Sequence, residues 1–275
     1  MTPPADTTAQ PFPWDLVAAG TGACAVVMLI LWVLAWRHRD AGLVDVGWAA
    51  CLGGLAVAWA VFADGSALQR TLAGALGGLW GLRLSLHLLT DRVLGAKQED
   101  GRYKAMREHF GANANLHFLW FFQAQAVLAV ALSLVFLLAA RNPSEQIAPG
   151  QWFGLGLFVL AKLGETLADR QLARFRRDPS NTGRTCRSGL WRYSRHPNYF
   201  CEWLIWCAFA LVATPAPAGL WAWLAPMVMF LFVTRVTGIP YTEQQSLRSR
   251  GEDYRLYQRE TNAFFPWFPR TETSQ

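Results

Sequence analysis

Leu16-Val-Ala-Ala-Gly-Thr-Gly-Ala-Cys-Ala-Val-Val-Met-Leu-Ile-Leu-Trp-Val-Leu-Ala-Trp36 carries no charge from end to end, and Arg37 and Arg39 follow it at once. About 20 helical residues cross the hydrocarbon core of a bilayer, so this run predicts a membrane-spanning helix with a basic flank. Six further stretches read the same way: Val44–Phe62, Leu68–Leu89, Phe118–Ala140, Trp152–Leu172, Tyr199–Ala213 and Leu220–Ile239. The fifth of the seven carries charge and the sixth is short. The expected fold is all-α, a polytopic membrane protein of about seven spans forming a single domain over 1–275, with residues 1–13 a disordered tail.

Composition agrees. Hydrophobic residues make up 53% of the chain and charged residues 16%, against about 25% charged in a soluble globular chain. The net charge of +6 lies between apolar runs, which points to membrane orientation and to anionic lipid or cofactor phosphate, not to nucleic acid. The five cysteines show no CxxC or Cys/His ligand spacing, so no disulfide framework or metal site is expected. No cleavable signal peptide is expected either, since basic residues follow the first apolar run and do not precede it.

Orientation follows the arginines. Arg92, Lys97, Arg102, Lys104 and Arg107 follow the third span, Arg174 to Arg195 the fifth, and Arg248 to Arg259 the seventh; the opposite connections hold only Arg70 and Arg141. The positive-inside rule then puts the N-terminus outside and the C-terminus in the cytoplasm. Beyond Pro240 the chain turns polar. Glu243 to Asn262 suits a cytoplasmic helix, and Phe264, Phe265, Trp267 and Phe268 suit an interfacial anchor; a plain solvated tail is the alternative.

Ionisable residues within spans cost about 2.5–3.5 kcal/mol each and need a reason. Lys162, Glu165 and Asp169 stand three and four apart on one face of the fifth span, and Arg176 extends that face. They form either a cofactor-binding face or, for Lys162 and Glu165, a self-neutralising pair. Arg83 and His87 lie one turn apart in the third span. Asp45 opens the second span, as a helix cap or as a partner for Arg83. Gly74, Gly77, Gly78 and Gly81 give GxxxG spacings that close helix packing explains.

The densest polar segment is Gly189-Leu-Trp-Arg-Tyr-Ser-Arg-His-Pro-Asn-Tyr-Phe-Cys-Glu-Trp203. Arg192, Arg195 and His196 are donors just before a helix whose first turn holds Pro197. A helix N-terminus offers free N–H groups to an anion. Asn198 and Glu202 follow one turn apart, within reach of a ribose or an amide.

This segment resembles the steroid 5-alpha-reductase C-terminal domain family, in particular its bacterial branch, DUF1295. Asp45-Val-Gly-Trp48, Leu79-Trp-Gly-Leu-Arg83, Glu99-Asp-Gly-Arg-Tyr103, Gly164-Glu-Thr-Leu-Ala-Asp-Arg-Gln171, Gly238-Ile-Pro240 and Asp253-Tyr-Arg-Leu-Tyr257 extend the resemblance over about 45–269. It implies a seven-helix reductase holding NADPH in its C-terminal helices, open to the cytosol. The residues it puts at the cofactor are Glu165, Asp169, Arg176, Asn198 and Glu202, with Glu165 standing where the family has Asn; Arg192, Arg195, His196, Tyr199 and Tyr254 are the further cofactor-binding candidates. The expected reaction is NADPH-dependent reduction of a C=C bond in a lipophilic substrate, whether steroid-like, isoprenoid or fatty-acyl. Asp45, Arg83, His87 and Tyr103 are the candidates for polarising and protonating the acceptor. Asp45 and Trp48, then Arg83 and His87, stand in the regions where the steroid reductases carry a Gln-Glu pair and a Tyr, so the catalytic motif does not carry over. Arg-His-Pro-x-Tyr is shared with isoprenylcysteine methyltransferases, so an S-adenosylmethionine-dependent lipid or thiol methyltransferase is the alternative. Membrane lipid is an expected partner, no obligate protein partner is inferred, and a bacterial inner membrane is the expected location.

Overall fold

A computed structural model describes residues 11–95 and 98–270; most of the expected N-terminal tail, at 1–10, and Lys97 lie outside them. Among the described residues the chain is helical and has no strand. It packs as two compact units, Met1–Ile147 with Pro215–Gly219, and Ala148–Thr214 with Leu220–Gln275.

The first unit holds α1 (Trp14–His38), α2 (Leu43–Phe62), α3 (Ala67–Leu88), α4 (Gly101–Phe110) and α5 (Ala114–Ala140). Helix α1 ends on Arg39 in the left-handed conformation, φ 54°. Ser66 caps α3 by accepting from the Gln69 amide at 3.3 Å. The fully buried side chains include Met28, Leu52, Trp59, Phe122 and Phe136, and the Trp59 indole donates to Ser133 Oγ at 3.1 Å. Helices α2 and α3 touch through their backbones. A methyl group on Gly81 would meet Gly53 Cα at 2.5 Å and the Ala49 carbonyl oxygen at 2.9 Å. The small residues read as a packing seam are therefore one, between these two helices.

The second unit holds α6 (Pro149–Arg177), α7 (Pro197–Ala213), α8 (Leu224–Leu231), α9 (Gly238–Arg250) and α10 (Glu252–Glu260). Both α6 and α7 begin on proline, whose missing N–H costs nothing in a first turn. The buried Gln151 joins them: its amide donates to the Val212 carbonyl at 2.9 Å. Gly189 adopts φ 61°, and Gln171 fills the space a side chain would need there. Gln171 Oε1 then accepts from the Leu190 amide at 2.9 Å.

Five helical segments are long and apolar enough to cross a membrane: Trp14–His38, Leu43–Phe62, Ala67–Asp91, Gly101–Ala140 and Gly219–Arg250, the last turning polar beyond Pro240. They are the helices of a membrane protein. The other two of the expected seven do not reach that standard, because α6 carries Lys162, Glu165 and Asp169 and α7 has 17 residues. Three local expectations change. The third span continues past Leu88 as a π-helical turn, Leu89–Leu94. The last expected span is broken into a 3-10 turn, Gly219–Trp223, then α8, then a π-helical turn, Phe232–Val236. The single helix expected over Glu243–Asn262 is two, split at Gly251, whose φ of 53° suits glycine.

Candidate functional site

Two polar clusters contain most of the residues singled out by sequence. In the first unit, Asp45 sits in the first turn of α2 and receives two donors from α4: the Tyr103 hydroxyl at 2.8 Å and Arg102 Nη2 at 2.8 Å. Arg102 also pairs with Asp100, which caps α4 by accepting from the Arg102 amide. Tyr103 is buried, its ring against Phe118 and Phe121. Glu99 completes the arrangement by pairing with Arg107 at 2.7 Å and accepting from the Ala41 amide at 2.9 Å. Asp45 and Tyr103 are thus brought together, whereas Arg83 and His87 lie on an exposed face of α3. The Trp48 indole nitrogen, one turn from Asp45, is buried with no hydrogen-bond partner among the described residues.

In the second unit, the polar face of α6 starts with the Lys162–Glu165 ion pair, both side chains at least four-fifths buried. One turn on, Asp169 accepts from the Asn198 amide group at 3.1 Å. Asn198 is the second residue of α7, and its side-chain oxygen accepts from the Tyr199 amide. Glu202, a turn further along α7, accepts from the Trp206 indole at 3.3 Å. The face ends in a cavity of about 180 Å³ lined by Arg176, Arg184, Arg250, Asn181, Thr182 and Cys186, among others. Burial and the nearby Arg250 push the Arg176 guanidinium below its ordinary value. Thr185, beside this cavity in sequence, has a buried hydroxyl with no partner among the described residues. Carboxylates and an amide at one end suit hydroxyl and N–H donors; arginines at the other suit a phosphate.

Arg195 and His196 point elsewhere. Arg195 Nε donates to Glu243 at 2.7 Å, and its Nη1 donates to the carbonyls of Gln258 and Thr261. His196 Nε2 lies 3.2 Å from the same Glu243 oxygen. The imidazole is buried, and desolvation outweighs the carboxylate beside it, so its pKa falls below 6.5. The contact is therefore a neutral imidazole donating to a carboxylate, not an ion pair. Gln258 adds a third donor at 2.7 Å, and these donors hold the Glu243 carboxyl down at about 2 despite its burial. Tyr199 stacks on His196 and bonds Thr242. Tyr254 is buried, and Arg192 is exposed.

Sequence reasoning missed Glu243, Glu99, Arg102, Arg184 and Arg250 as parts of these clusters. One signal pointed to Glu243: a buried Arg-His pair needs a carboxylate, and Glu243 is the first acid beyond the last apolar run. Nothing in the spacing joins Arg184 or Arg250 to Arg176.

The chain is 28% identical over 215 residues to an uncharacterized protein of Schizosaccharomyces pombe, an alignment covering 68% of this chain and 60% of the relative. No solved structure matches. The model of the family described as protein of unknown function (DUF1295) matches residues 31–261, and the chain belongs to that family.

Proposed function

We propose that this protein is a seven-span membrane reductase, its C-terminus cytoplasmic, that uses NADPH to reduce a C=C bond in a lipophilic substrate. The observation that carries this reading is the succession of polar groups along α6 in the second unit. It runs from Lys162–Glu165 through Asp169–Asn198 to the cavity of Arg176, Arg184 and Arg250. Its donor set fits a phosphorylated dinucleotide: a cluster of arginines for phosphate, and Asp169, Asn198 and Glu202 for ribose hydroxyls or a carboxamide. When bound, NADPH supplies a hydride. The chain's own residues would bind and orient it, with Arg195 and His196 fixing the start of α7 through Glu243. The candidates for supplying the proton are Asp45 and Tyr103, a reading supported by the hydrogen bond from the phenol to the carboxylate. The resemblance to steroid 5-alpha-reductases supports the same assignment.

Titration of detergent-solubilised protein with NADPH, NADH and S-adenosylmethionine tests it. Wild type should bind NADPH in preference to NADH. Asn198→Ala and Arg176→Ala should each weaken NADPH binding roughly 10- to 150-fold, for the loss of one hydrogen bond to a charged group worth about 1.5–3 kcal/mol. Binding of S-adenosylmethionine without NADPH would move the assignment to a methyltransferase, and binding of none of the three would defeat it.

A further inference from the structure

The segment after α10 is a fixed strap with an aromatic outer face. Hydrogen bonds tie its backbone to the preceding chain along its length. The Arg195 amide donates to the Asn262 carbonyl at 2.9 Å, Ser194 Oγ to the Phe264 carbonyl at 2.9 Å, the Trp267 amide to the Tyr193 carbonyl at 2.9 Å, and the Arg270 amide to the Glu260 carbonyl at 2.8 Å. Phe264 is the buried side of the strap, against Phe200, Trp203 and Phe230. The outer side leaves Phe265 52% exposed, Trp267 68% and Phe268 72%. Ordinary burial does not account for three large aromatic side chains held open on a backbone this well bonded.

We infer that this face is an anchor in the interfacial layer of the bilayer, with lipid as its occupant. The first ground is continuity. Phe265 packs on Phe200 and Trp203 of α7 and on Phe230 of α8, with ring centres 5.9–6.0 Å apart. Phe230 belongs to a segment apolar and long enough to cross a membrane. The exposed rings thus extend an apolar helix surface at the end where the chain becomes polar. The second ground is chemistry. Trp and Tyr concentrate at that depth, and Arg192 and Arg270, exposed and close in sequence to Tyr193 and Phe268, suit the phosphate layer. Tyr193, edge-on to Phe268 at 6.0 Å, adds a ring with a polar tip. The inference does not depend on the reductase reading, and either can fail without the other.

The test is photo-crosslinking of the full chain in lipid nanodiscs, with Phe268→p-benzoylphenylalanine as the probe. Gln245→p-benzoylphenylalanine on α9 is the solvent control, and Leu160→p-benzoylphenylalanine on α6 is the apolar control; both positions are exposed. Mass spectrometry should find lipid adducts at 268 and at 160 and none at 245. Adducts at 160 with none at 268 would overturn the inference. So would a protein–protein adduct at 268, which would make the face a contact between copies.

Discussion

Replacing Glu243 by alanine should loosen the polar end of the second unit far more than its place in a hydrophilic segment suggests. The carboxylate accepts from Arg195, His196 and Gln258, and its side chain is 15% exposed. Holding it at about 2, against an ordinary 4.5, corresponds to roughly 3 kcal/mol at neutral pH, at about 1.36 kcal/mol per pH unit. Removing one partner of a buried pair independently suggests about 3–5 kcal/mol, because the surviving charge stays buried. Two carbonyls still hold Arg195 Nη1, so the lower figure applies. Glu243→Gln keeps the shape and an acceptor but loses the charge, and should cost about half as much. Hydrogen exchange in detergent reads the effect directly. Amides of α10 and of 261–270 should exchange roughly a hundredfold faster in Glu243→Ala, about tenfold for each 1.4 kcal/mol, while those in the middle of α7 keep wild-type rates. Wild-type exchange throughout α10 and the strap would refute the reasoning, as would a loss spread evenly over both units.

Three other outcomes are expected. Gly81→Ala should destabilise the first unit by about 1–3 kcal/mol or more, because its methyl group meets backbone atoms that cannot move aside, whereas Gly54→Ala enters open space and should be near neutral; thermal aggregation in detergent separates them. Tyr103→Phe removes a 2.8 Å hydrogen bond to Asp45 and should cost about 1.5–3 kcal/mol, read as a lower melting temperature with helicity retained. Acidification should weaken the second unit in two stages. His196 is neutral when folded and its pKa lies below 6.5, so its contribution is complete above 6.5 and is lost as pH falls from there. Glu243 is depressed to about 2, so its contribution is complete above 4.5 and is lost below. Melting curves of His196→Gln should lose the first stage and keep the second.

The spans were legible because bilayer thickness imposes a run length that composition alone reveals, and α1 and α2 lie within two residues of where the apolar runs put them. The face of α6 was legible for a similar reason, since helical spacing brings Lys162, Glu165 and Asp169 together within one element. Links between elements were not legible. Asn198 meets Asp169 across 29 residues, and Arg195 meets Glu243 across 48. The partner chosen depends on how helices pack, which spacing along the chain does not encode. Asp45 shows the limit. Its position suggested a helix cap or a bond to Arg83 and gave no hint of Arg102 and Tyr103, which reach it from a helix the apolar pattern did not mark.

The two π-helical turns, Leu89–Leu94 and Phe232–Val236, bear on how such a chain tolerates changes in length. A π-turn accommodates one residue more than an α-turn over the same rise. Each wide turn sits at the end of its helix, against Gly95 and Thr237, so deleting one residue inside it returns that end to ordinary α-helix and leaves the faces of the preceding helix unchanged. The same deletion in the middle of α2 would rotate the rest of that helix by about 100° and carry Gly53 away from Gly81. Single-residue length differences between relatives should therefore collect at these two wide turns and be absent from the seam between α2 and α3.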